Sequence, residues 1–164
     1  MRQLIAIFLF LSATASWADA STWTVETDAA GFESRVVLAQ DALNTIKDES
    51  LKKDVRPSLT FACSPGETTV TASIDWQRFI SSFSTEVGFK VDGGKFTWLK
   101  WKVDGSEKIT ISPSADDTRK LAGLLQDGEK LLVEVSPYSE GPVEVEFDLT
   151  GFSAAMSKLM GDCQ

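Results

Sequence analysis

Apolar and polar residues alternate with a period of two along most of this chain, the spacing of strands with one buried face. In "TVTASIDW", Val70, Ala72, Ile74 and Trp76 share one side, while Thr69, Thr71, Ser73 and Asp75 share the other. "PVEVEFDLTG" turns Val143, Val145, Phe147 and Leu149 inward and Glu144, Glu146 and Asp148 outward. "KLLVEVSP" does the same with Leu131, Val133 and Val135, and "LTFAC" with Leu59, Phe61 and Cys63. "EVGFKVDGGKFTWLKWKV" reads as a hairpin around Gly93-Gly94, with Val87, Phe89 and Val91 inward on its first arm. On its second arm Phe96 and Trp98 fall on the opposite face from Leu99 and Trp101. One tryptophan is thus predicted in the core and the other half-covered or exposed. "KITIS" groups Ile109 with Ile111, and "TWTVET" and "RVVLAQ" are further candidates, giving about eight strands.

Two segments leave this rhythm. "SADDTRKLAGLLQDG" predicts a helix with Ser114 as N-cap, Asp116 and Asp117 in the first turn and Gly128 at its end. Leu121, Leu124 and Leu125 form its apolar side. "SAAMSKLMGDC" carries Ala155, Met156, Leu159 and Met160 on one stripe, with Ser153 as the expected cap. "DALNTIKDESLKKDV" reads as a charged loop containing at most a helical turn. Helices do not alternate regularly with strands, so the pattern predicts an antiparallel β-sandwich with two short helices rather than a parallel α/β fold.

The first residues change the setting. Arg2, an apolar run from Leu4 to Leu11 and a final Ala18-Asp19-Ala20 have the form of a cleavable signal peptide over residues 1–20. The run is about 8 residues, against roughly 20 needed to cross a bilayer. Export to the periplasm is expected, with one globular domain over 21–164 and no membrane span after cleavage. In an oxidising compartment the two cysteines, Cys63 and Cys163, read as one disulfide stapling the C-terminal helix to an inner strand. The alternatives are two buried thiols or a bridge between chains. A net charge of −8 in 164 residues argues against nucleic acid and against anionic membrane surfaces.

Candidate chemistry is sparse. There is no histidine, which removes the commonest general base and zinc ligand. Carboxylates remain, but Asp75, Asp92, Glu140 and Asp148 cannot be paired across a cleft from their spacing. No catalytic residue, metal ligand or cofactor is assigned, and a non-enzyme is expected. The outward Glu134, Glu144, Glu146 and Asp148 form either a solvated face or a docking surface for a basic partner. The candidate binding residues are Tyr138 and Glu140, between Pro137 and Pro142, together with Trp98. Tyr138 either plugs an end of the sandwich or meets a partner.

The C-terminal block "VSPYSEGPVEVEFDLTGFSAAMSKLMGDC" resembles the VasI/TagO-like family of periplasmic proteins associated with type VI secretion. The elements are Pro137, Tyr138, Glu140 and Pro142, then Phe147, Asp148, Leu149 and Gly151, then Cys163. Upstream, Cys63, Ile74, Trp76 and Phe79 match that family's first-cysteine strand and the element after it, with phenylalanine where the family has tyrosine. The resemblance implies an accessory protein contacting another envelope or secretion-system protein, and brings no catalytic residue. The alternative is an exported ligand- or cell-wall-binding domain, or a hydrolase inhibitor.

Overall fold

The alternating segments become the walls of one core. A computed structural model describes residues 22–28, 34–48 and 50–164; the expected signal segment lies outside them. The strands are β1 (Thr24–Asp28), β2 (Arg35–Asp41), β3 (Ile46–Asp48), β4 (Lys53–Val55), β5 (Ser58–Cys63) and β6 (Thr71–Asp75). They continue as β7 (Ser84–Val91), β8 (Thr97–Val103), β9 (Ile109–Ile111), β10 (Lys130–Val135) and β11 (Val143–Asp148). Helix α1 (Ala115–Leu125) lies between β9 and β10, and α2 (Phe152–Asp162) follows β11. Nine strands form one antiparallel sheet in the order β1-β2-β5-β6-β9-β8-β7-β10-β11, and β3 pairs with β4. The protein is thus mainly β with two helices, as the alternation predicts.

The large sheet bends until its ends meet. The Trp23 indole N–H, just ahead of β1, donates to the Asp148 carbonyl of β11 at 2.9 Å. Beyond β2 the Leu43 N–H donates to the Glu146 carbonyl at 2.7 Å. The Asn44 amide beside it bonds Glu144 and Glu146 of the same edge. Inside are Leu38, Leu59, Phe61, Ala72, Ile74, Trp76, Val87, Phe89, Trp101, Leu131, Val133, Val135, Val145 and Phe147, all buried. Leu121 and Leu125 of α1 and Phe152 and Leu159 of α2 complete the core. Full burial of each such side chain favours folding by about 1.5–3 kcal/mol. In β9 the inward residue is Thr110, whose hydroxyl accepts the Trp76 indole N–H at 3.0 Å, so Ile109 and Ile111 take the half-buried outer face.

Cys63 and Cys163 are joined in a disulfide with Cα atoms 5.9 Å apart, and both are buried. Two local expectations differ. Residues 41–55 contain the β3–β4 hairpin, not only a charged loop. The cap of α2 is Gly151 at φ 79°, a left-handed conformation suited to glycine, and Ser153 lies inside the first turn. Ser114 does cap α1, its hydroxyl accepting the Asp117 N–H at 3.2 Å. No helix among the described residues is long and apolar enough to cross a membrane.

Candidate interaction surface

The outer face of β8, β7, β10 and β11 carries the sequence's most unusual side chains. Along β8 the alternation that buries Trp101 turns Trp98 out, where it stays 45% exposed. Gly88 of β7 stands opposite Trp98 in register. A Cβ on Gly88 would lie 2.8 Å from Cη2 and Cζ3 of Trp98, so the indole rests directly on the bare backbone. Phe96 stacks on Trp98 with centroids 5.3 Å apart, and the Lys90 ammonium sits 4.6 Å above the Phe96 ring.

The register continues this rung across the sheet. Glu134 of β10 pairs with Gly88 on one side and with Glu144 of β11 on the other. Burial, and next the facing Glu144 carboxylate, hold the Glu134 carboxyl above its ordinary range. On neighbouring rungs Lys100 stands across from Glu86, and Lys130 pairs with Glu146 at 2.9 Å. The outward stripe of Glu134, Glu144, Glu146 and Asp148 therefore lies on one face. Its members differ: Asp148 is held below its ordinary range by Thr150, first through the threonine hydroxyl and then through its N–H, which Asp148 accepts at 2.8 Å.

An open hollow of about 370 Å³ lies beside this rung, lined by Thr85, Glu86, Trp98 and Ser136. Its walls lead to two loops. Ser136 runs through buried Pro137 to Tyr138, whose N–H donates to the Ile80 carbonyl at 2.8 Å. The Tyr138 side chain is 74% exposed, so it does not plug the end of the fold. Thr85 follows Phe83, which is 85% exposed. Phe83 was no candidate from sequence. Its signal was a lone aromatic among serines in "SSFST", just ahead of a strand.

Glu140 takes a different part. Its carboxylate accepts from the buried Arg78 guanidinium at 2.6 Å, and Arg78 also donates to the Lys47 carbonyl. That bridge ties the Tyr138 loop to the loop before β7. The structure thus places Trp98 and the Tyr138 loop around one hollow, with Glu140 bracing the loop from beneath. A second groove of about 530 Å³ runs between α1 and α2, lined by Ala122, Phe152, Met156 and Met160 among others.

Comparison with known proteins gives a fold and no family. No family model matches the chain, and no curated protein matches it. The crystal structure of invasion associated protein B from Bartonella henselae matches with a TM-score of 0.53 at 14% identity, covering 85% of this chain and 92% of that one. At this identity the chain is similar to that protein in fold alone.

Proposed function

We propose that the chain is an exported, non-enzymatic interaction domain, an accessory to another envelope or secretion-system protein, working through the surface around Trp98, Phe83 and Tyr138. The observation that carries this reading is three large aromatic side chains left exposed by 45%, 85% and 74%: Trp98 in the wall of the hollow, and Phe83 and Tyr138 on the two loops that lead from its Thr85 and Ser136. Aromatic residues concentrate at protein interfaces, where they bury much area at little entropic cost. The loops are braced by the Arg78–Glu140 ion pair and the Tyr138–Ile80 hydrogen bond, so little ordering remains for binding.

The carboxylates support the non-enzymatic part. Asp75 accepts the Gln77 N–H, Asp92 those of Glu129 and Lys130, and Asp148 that of Thr150, while Glu140 holds Arg78. Each is engaged in local structure instead of facing another acid across a cleft. A buried disulfide suits an oxidising compartment such as the periplasm. The type VI association rests on the "PY…FDL.G…C" elements alone.

The test is a photo-crosslinking residue at position 83 or 138, and at 67 as a control, in cells exporting the protein. Discrete adducts at 83 and 138 but not at 67 are expected. Equal adducts at all three positions, or none at any, would remove the reading.

A further inference from the structure

We infer that the hollow beside Gly88, walled by the Trp98 indole and Glu86, seats an arginine or lysine side chain of a basic partner segment, with Glu134 and Glu144 following on the rung beyond Gly88. The inference rests on the interaction surface proposed above and gives it a partner chemistry.

Three observations converge. The first is the floor: with no side chain at Gly88, Trp98 lies over the backbone and keeps nearly half its surface open. The electrostatics of this aromatic pair already attract a cation, since the Lys90 ammonium sits over Phe96, stacked on Trp98. The second is unmatched charge. Glu134 and Glu144 face each other across β10 and β11, an arrangement that costs stability unless a cation joins it. The neighbouring lysines make no contact ion pair here: Lys130 is on Glu146, Lys100 is across from Glu86, and Lys90 sits over Phe96, from where its charge reaches Glu134 without outweighing burial and Glu144. Among the described residues no lysine or arginine pairs with Glu134 or Glu144. Burial, then the charge of Glu144 and a hydrogen bond to it, hold Glu134 toward its protonated form, and an added cation would favour its ionised form. The third is extent. Phe83 and Tyr138 stand exposed two residues from Thr85 and Ser136 of the hollow, offering apolar contact to a chain segment that a free amine could not use.

The same chemistry disfavours other occupants. A divalent cation wants six or more oxygens and no aromatic wall, whereas a weakly hydrated guanidinium stacks on indole and takes carboxylates on its edge. Anionic partners meet a molecule of net charge −8.

The test titrates the exported form with an amidated alternating Arg-Ala peptide at physiological salt, following backbone and indole N–H shifts. Shifts confined to Glu86, Gly88, the Trp98 indole and Glu134 are expected. E134Q with E144Q should weaken binding about ten-fold, and W98L should weaken it similarly. The paired glutamine variant removes repulsion, so its fold is not at risk. E67Q with D127N, which removes the same charge at exposed positions elsewhere, should change affinity less than about two-fold. Equal weakening by both pairs would reduce the effect to net charge and overturn the site. Spermidine binding as tightly as the peptide would overturn the protein segment as occupant. Crosslinks at positions 83 and 138 that persist when no peptide binds would overturn the cation site while leaving the interaction surface standing.

Discussion

At Gly88 a hydrogen occupies the place where another residue would set a carbon 2.8 Å from the Trp98 ring. The obstructing atoms are the far end of a side chain, so Gly88→Ala should displace the indole and leave the strand intact. Alanine in a strand interior gains about 0.5–1 kcal/mol over glycine, and the lost ring contact offsets it, so stability should stay within about 1 kcal/mol. Acrylamide quenching of Trp98 should rise, and unchanged quenching would mean the ring does not rest on Gly88. Next to Gly88 in the rung, Glu134 makes a pH prediction. Its folded carboxyl binds a proton more tightly than the unfolded chain does, because burial and then Glu144 disfavour the charge. Its contribution to stability is therefore complete below the ordinary glutamate range and is lost as pH rises through the raised folded value. Glu134→Gln should thus gain on wild type as pH rises through that window. Parallel stability curves for the two proteins from pH 4 to 8 would show that Glu134 titrates as an ordinary glutamate.

At the scale of elements, the free edge of β11 is closed by a side chain. Asn44 donates from Nδ2 to the Glu144 carbonyl at 3.1 Å and accepts the Glu146 N–H on Oδ1 at 2.8 Å, so its amide imitates a strand residue. Asn44→Ala should cost about 1–2 kcal/mol for these bonds and expose an edge prone to pairing with other chains. A lower urea midpoint and concentration-dependent light scattering would show both effects, and an unchanged midpoint would mean that water replaces the amide without loss. Elements of five or more alternating residues were legible in the sequence, and so was the placing of Trp98 and Trp101 on opposite faces of β8, because period two separates them; which of the two turns out depends on how β8 sits against the core. The β3–β4 hairpin was not. Its strands have three residues each, and its turn is set by Asp48, which accepts from the Ser50 hydroxyl and from the Ser50 and Leu51 N–H groups. That reads as a polar cluster in sequence. The Arg78–Glu140 contact spans 62 positions, and no local pattern reports it. The prolines around Tyr138 marked a loop, but its exposure depends on how the loop docks against Ile80.

Over the whole molecule, closure depends on holding both ends of a bent sheet beside β5. Trp23 from the N-terminal side and Phe152 from α2 pack edge-on with centroids 5.0 Å apart, and Phe61 of β5 lies 5.4 Å from Phe152. Two residues beyond Phe61, Cys63 takes the disulfide from the end of α2 across a separation of 100 residues. Beside it the Gly66 N–H donates to the Cys163 carbonyl at 2.9 Å, a second tie between the end of α2 and the loop after β5. Helix α2 touches β1 and β2 but has weak intrinsic reasons to stay: a glycine cap without a side-chain bond, and only Phe152 and Leu159 buried along it. The covalent link therefore has two roles, limiting the unfolded chain and keeping the helix over the junction. Closing a loop of this length is worth about 4–5 kcal/mol in the chain-entropy model, a large share of the 5–15 kcal/mol typical of a whole domain. Replacing both cysteines by serine should lower the melting temperature by about 10–20 °C, at about 2–4 °C per kcal/mol for a domain near this size. Near-UV circular dichroism of the Trp23–Phe61–Phe152 cluster should weaken at temperatures where the amide signal of the sheet persists, because α2 is released before the strands separate. A drop of only about 5 °C or less, with both signals lost together, would show that packing alone holds α2 in place and that the disulfide adds little beyond it.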